Sequence, residues 1–273
     1  MIKDELRKIV VNGYAVPEGV EEYTMVQKVV QVLGSTDPEL RDDLGYDILQ
    51  NWLVEQSRLI NEQLENLLVY AISDEMLLKH VGESGTDSVF LRSFSSLLIA
   101  LLLIRDNRDQ FLLESTFRST MHTLVNYCKQ ERDFRGYDEE KGWAHAAAHV
   151  SDAIDECVRS RYTGAEECQH LWSGLRALLE NAPDVFNTEE DERMTTAVTA
   201  MVELEKVSLK TICEWLNQVE LPAEKDMRLR YRRINFKHFV RSLFLRLKEK
   251  GLLSEEQAIF AVEHRFNPRY YNL

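Results

Sequence analysis

The stretch Glu131-Arg-Asp-Phe-Arg-Gly-Tyr-Asp-Glu-Glu-Lys-Gly-Trp-Ala-His-Ala-Ala-Ala-His-Val-Ser-Asp152 holds the densest set of groups able to do chemistry. On a helix turning about 100° per residue, His145, His149, Asp152 and Glu156 fall within roughly 60° of one another. Two imidazoles one turn apart can grip one divalent metal ion. A carboxylate a turn further on can complete the set or orient an imidazole through its second nitrogen. His145, His149 and Asp152 are therefore candidate ligands, with Asp133 or Glu139 as candidate general base for a metal-bound water, the chemistry of a metal-dependent hydrolase. The pattern is loose, because it lacks the carboxylate that H-E-x-x-H places beside its first histidine. Two other readings stay open. One is a buried network in which His145 and Asp152 tie the loop from Asp133 to Lys141 onto the helix; the other is a solvated face. Val150, Ala153, Ile154, Cys157 and Val158 fall on another side, so the stripe is expected to point away from the densest packing.

Around this stripe, Arg135 between Asp133 and Asp138 reads as a loop staple or an acid/base element. Trp143 is expected to plug the core at the helix entrance, where its indole N–H needs a partner. Arg92 opens an apolar helix and, if buried, requires a carboxylate, for which Asp133 or Asp138 is the candidate. Ser93 and Ser95 lack a G-x-S-x-G elbow and are not read as nucleophiles. His122 is a possible third imidazole facing His145 across a helix pair.

A second constellation is basic: Arg228, Arg230, Arg232, Arg233, Lys237 and Arg241, followed by Arg246, Lys248 and Lys250, with aromatics interleaved. It could contact phosphates on a helical scaffold. The favoured reading is that these side chains pair with acidic helices and cover apolar surface with their stems, because the aromatics keep helical core spacing. The net charge of −13 also repels nucleic acid and anionic membrane as a whole.

The elements that must carry these groups are helices. Only 11 glycines and 5 prolines occur in 273 residues, too few for a turn-rich sheet protein. Apolar residues recur at three- and four-residue spacing, which predicts helices over about 3–12, 21–34, 38–55, 57–71, 73–81, 87–106, 110–131, 142–161, 164–181, 189–204, 206–219, 223–250 and 255–266. Asp37-Pro38 supplies an N-cap with proline at the first helical position, and Thr163 with Glu166 fits a capping box. Short connections predict that sequential helices are antiparallel neighbours. No long linker divides the chain, so one all-α domain over 1–273 is expected. The charge-rich turn near Asn187 to Arg193 is the only mild candidate boundary.

Cys128, Cys157, Cys168 and Cys213 form no C-x-x-C pair and read as packed, reduced thiols of a cytoplasmic protein. The charged N-terminus shows no secretion signal, and the apolar run from Leu97 to Ile104 is well short of the roughly 20 residues that span a bilayer.

Three motifs together, Asp87-Ser-Val-Phe-Leu-Arg-Ser-Phe-Ser95, Glu131-Arg-Asp-Phe-Arg-Gly-Tyr137 and Gly142-Trp-Ala-His-Ala-Ala-Ala-His149, resemble a bacterial family catalogued as domain of unknown function 2785, over about residues 37–245. The resemblance implies a bacterial cytoplasmic protein with a HEAT-like helical repeat. It also implies that Arg92, Asp133, Arg135, His145, His149 and Asp152 group in space, and it brings no activity with it. Asp37-Pro38-Glu39-Leu40-Arg41 looks like the opening of the second helix of a HEAT-type repeat. The expected architecture is an all-α HEAT/armadillo-like solenoid or a compact α-α superhelix. The expected function is binding of a protein or small-molecule ligand on its inner face, with the metal-dependent hydrolase and the nucleic-acid scaffold as alternatives. No cofactor is established beyond a possible divalent metal.

Overall fold

The computed structural model describes residues 2–271 apart from Pro222, Glu224 and Glu255. The chain begins with helix α1 (Ile2–Val11) and α2 (Glu22–Val30), the latter capped by the Glu21 carboxylate, which accepts the Tyr23 and Thr24 N–H groups. As expected, Asp37 caps the next helix: its Oδ1 accepts the Leu40 N–H at 3.2 Å and its carbonyl accepts the Arg41 N–H. That helix is wound as π-turns over Glu39–Tyr46, α3 (Asp47–Gln50) and π-turns again over Asn51–Glu55. Then follow α4 (Asn61–Ala71), α5 (Ser88–Asp109), α6 (Glu114–Gln130) and a short antiparallel pair, β1 (Tyr137–Asp138) with β2 (Gly142–Trp143). Helices α7 (Ala146–Arg159), α8 (Ala165–Asn181), α9 (Glu190–Glu203), α10 (Leu209–Asn217), α11 (Met227–Glu249), α12 (Glu256–Phe266) and α13 (Pro268–Tyr271) complete the described chain.

The fold is all-α, and its departures from the periodicity have local causes. Ser57 and Leu59 take positive φ (53° and 74°), so α4 starts at Asn61 instead of residue 57. Residues 73–81 form successive turns, not a helix. Gln110, in the left-handed region at φ 56°, ends α5 and delays α6. Residues 142 and 143 pair with β1, so α7 begins only at Ala146. The cap of α8 is shifted by one residue: Glu167, not Glu166, reaches back to the Gly164 N–H at 2.9 Å, while the Thr163 hydroxyl donates to the Cys157 carbonyl.

The dominant packing is between alternate helices, not sequential ones. Helix α5 packs on α7, α7 on α9 and α9 on α11, the Glu39–Glu55 helix also packs on α5, and α6 packs on α8. Ala144, Ala146, Ala147 and Ala148, all buried, let α5 and α7 approach closely. Helix α5 is long and apolar enough to cross a membrane by composition, and 83% of that stretch is buried among the other helices. A large apolar core runs from Leu6 to Phe266, and all four cysteines are buried within it with no disulfide between them.

Candidate functional site

The histidine stripe does not survive as one face. His145 lies outside α7, at its N-cap, in the left-handed region (φ 50°, ψ 35°). Its N–H bonds back to the Arg135 and Gly136 carbonyls across the β pair, which forces that turn. The four side chains then go to different neighbours. His145 Nε2 lies 2.7 Å from the Thr188 carbonyl, and His149 Nδ1 lies 2.8 Å from Ser93 Oγ on α5. Asp152 accepts Arg193 Nη1 of α9 at 2.8 and 2.7 Å, and Glu156 Oε2 accepts Asn107 Nδ2 of α5 at 2.9 Å. Nor does the stripe point away from the packing, since His149 is only 7% exposed and lies edge-on to Phe94 at 5.2 Å.

The partners dictate both tautomers. A carbonyl oxygen only accepts, so His145 carries its proton on Nε2 and keeps Nδ1 as a lone pair. The single Ser93 hydroxyl proton goes to the Ala144 carbonyl, so toward His149 that oxygen accepts. His149 is therefore protonated on Nδ1, and its Nε2 has no hydrogen-bond partner among the described residues. Burial lowers both histidine pKa values, that of His149 well below the ordinary value, so the pair is neutral near pH 7. The ring centroids lie 5.5 Å apart, and the His145 ring stacks on Trp143 at 4.8 Å.

These rings line a cavity of about 630 Å³ whose other walls are Asp42, Tyr46, Leu97, Trp143, Asp152 and the Asn187 to Glu189 segment with Arg193. Asp42 and Tyr46 come from the π-wound helix, Leu97 from α5, and His149 and Asp152 from α7. Burial raises the Asp152 pKa to about 6 against the opposing pull of Arg193, raises that of Asp42, and pushes the Tyr46 phenol to about 12.

Several expected partnerships are different in the structure. The carboxylate on the buried Arg92 is Glu131, not Asp133 or Asp138: Nε to Oε2 is 2.7 Å and Nη2 to Oε1 is 2.9 Å. His122 does not face His145; its Nδ1 lies 2.9 Å from His170 Nε2, between α6 and α8. Trp143 does not plug the core, being 38% exposed on the rim of the cavity. Arg135 does staple its loop, holding Asp133 and the Thr86 carbonyl, and Asp133 also accepts the Gly85 N–H. Asp138 accepts the Glu140 and Lys141 N–H groups at the hairpin turn, which lowers its pKa.

The metal-dependent constellation is not assembled. Among the described residues, no three His, Cys, Asp or Glu groups are placed to hold a metal ion. Asp152 is taken up by Arg193, and the His145 nitrogen nearest a carboxylate, 3.8 Å from Glu190 Oε1, carries the proton given to Thr188. Asp133 and Glu139 line a second cavity of about 910 Å³ that shares Asn187 and Thr188 with the first and is not lined by either imidazole.

The basic segment is largely engaged within the protein. Arg232 holds Glu180 and the Glu220 carbonyl, Arg233 the Phe266 carbonyl, Arg241 Glu263, Arg246 Glu192 and Lys250 Glu203. Lys237 is half-buried beside Arg233 and Arg241, while Arg228 and Arg230 are exposed on the first turns of α11.

Several contributors to the site were not foreseen, Glu189 and Arg193 among them. Arg41, fully buried, bonds to the Ser35, Lys141 and Trp143 carbonyls and lies over the Phe90 ring at 4.3 Å, anchoring the β pair beneath Trp143. Asp42 and Tyr46 give no chemical signal in an ordinary amphipathic helix. Thr188 belongs to the charge-rich turn that looked like a boundary, and the visible signal was Gly136: a Cβ there would sit 2.0 Å from Thr188 Oγ1.

A family model described as Protein of unknown function (DUF2785) matches residues 77–245, which includes every cavity-lining residue except Asp42 and Tyr46. No curated protein and no solved structure matches the chain.

Proposed function

We propose a function for a chain that belongs, by a match over more than half its length, to the family described as Protein of unknown function (DUF2785): it is a binding module that admits a small polar ligand to the cavity between His149, Tyr46 and Trp143. The observation that carries this is His149. This nearly buried, neutral imidazole has one nitrogen fixed by Ser93, while the other, which makes no hydrogen bond to the described residues, is available as an acceptor to a ligand in the cavity that the ring lines. Metal-dependent hydrolysis has no assembled ligand set to support it. The intramolecular pairing of the basic segment favours a role in the fold over a role on nucleic acid.

In this reading the alternating helices form a HEAT-like two-layer array. The cavity lies on the face of the layer made by the Glu39–Glu55 helix, α5, α7 and α9. The four reduced thiols fit a cytoplasmic setting. Screening neutral, anionic and cationic metabolite-sized compounds by ligand-observed NMR tests it. Binders are expected whose signal is lost in both His149→Gln and Trp143→Ala. Binders indifferent to both substitutions, or none at all, overturn the reading.

A further inference from the structure

We infer that the ligand of this cavity is a small organic cation bearing N–H donors, a primary amine or a guanidinium, received by Asp42 and the free imidazole nitrogens between the Tyr46 and Trp143 rings. The inference rests on the binding-module reading and adds the chemical class.

Both histidine N–H groups are spent inside the protein, on the Thr188 carbonyl and Ser93 Oγ, so the imidazoles offer the cavity only lone pairs. A lone pair at the floor of a pocket is satisfied by a donor. Three carboxylates line the cavity, Asp42, Asp152 and Glu189, against one guanidinium, Arg193, which is already committed to Asp152. The Asp42 carboxylate accepts no hydrogen bond from the described residues, and burial raises its pKa against the pull of the neighbouring Arg41. The aromatic walls act in the same direction, because the face of an indole or phenol ring attracts a cation. An anion would meet the three carboxylates. A quaternary ammonium would satisfy the rings and the charge but leave His149 Nε2 without a donor.

The test is titration of the full chain with agmatine, tetramethylammonium, ribitol and succinate, followed by calorimetry and by ¹⁵N shifts of the His149 ring and the Trp143 indole. Agmatine is expected to bind and shift both. Tetramethylammonium, which has no hydrogen-bond donor, is expected to bind roughly tenfold more weakly, the worth of one hydrogen bond to a charged group. Asp42→Asn, a near-isosteric change at a side chain that makes no hydrogen bond to the described residues, is expected to weaken agmatine roughly tenfold, because a charge-assisted bond is lost, with the melting temperature followed to register any loss of its attraction to Arg41. Two results overturn the inference and leave the binding module standing: ribitol or succinate shifting His149 while agmatine does not, or tetramethylammonium equalling agmatine. Silence of agmatine at millimolar concentration overturns the inference outright, and the broader compound screen then judges the module separately.

Discussion

At the scale of single residues, the site is governed by what each group has already given away. Ser93 donates to Ala144 and so becomes an acceptor, which sets the His149 tautomer and directs its lone pair outward. Gly136 works through absence of a side chain. Thr188 packs directly against it while its carbonyl accepts from His145 and its N–H is held by Glu190 at 3.0 Å. Gly136→Ala would place a methyl group 2.0 Å from Thr188 Oγ1. The Thr188 segment must then shift, so a loss of about 1–3 kcal/mol is expected from overpacking. Thermal melting would measure that loss, and a changed ¹⁵N signature at His145 Nε2 would show that the link to Thr188 has broken. An unaltered His145 signature would mean that the segment does not depend on Gly136.

At the scale of elements, buried ion pairs decide which segments stay together. Arg92 and Glu131 are both essentially inaccessible to solvent. Beyond their two mutual bonds, Arg92 donates to the Lys79 and His80 carbonyls and Ser88 Oγ, and Glu131 accepts the Arg132 and Asp133 N–H groups. The pair thus joins the turns before α5 to the segment after α6. Removing one partner strands a buried charge, so Glu131→Ala alone is expected to cost about 3–5 kcal/mol. Arg92→Met with Glu131→Leu is expected to cost clearly less than the sum of the single changes, and denaturant unfolding of the four proteins would give the coupling. Additive losses would refute the account. The sequence showed that Arg92 needs a carboxylate, but not which one, because the choice depends on how the loop after α6 folds back.

At the scale of the whole molecule, the cavity writes itself into the pH dependence of stability. His149 has a folded pKa well below its unfolded value, and that of His145 is lowered too, both mainly by burial. Below about pH 6.5 the unfolded chain takes up protons that the folded chain refuses, so acidification destabilises, by up to about 1.4 kcal/mol per pH unit for each group. Asp152 acts with the opposite sign. Its folded pKa of about 6 is above the unfolded value, so between about pH 6 and pH 4 the folded chain binds the proton first and gains stability as pH falls. His149→Gln is therefore expected to flatten the acid limb of the stability curve and Asp152→Asn to steepen it, as measured by urea unfolding at several pH values. Equal slopes in the two variants would contradict these shifts.

What the sequence determined by itself was the helical class, the apolar helix around Leu97 to Ile104, the cap at Asp37 and the loop between Gly136 and Gly142 as the place to look. These follow from spacings of three and four residues and from local backbone preference, which act within one turn of chain. Only the tertiary structure decided that His145 leaves the helix, that Thr188 of the next connection covers it, that Asp42 and Tyr46 complete the cavity, and that His122 meets His170. Those pairings join residues 43 positions apart at His145 and Thr188 and 48 apart at His122 and His170, and the cavity gathers walls from Asp42 through to Arg193. They are set by alternate helices lying side by side, and a hydrophobic pattern read one helix at a time contains no information about that register.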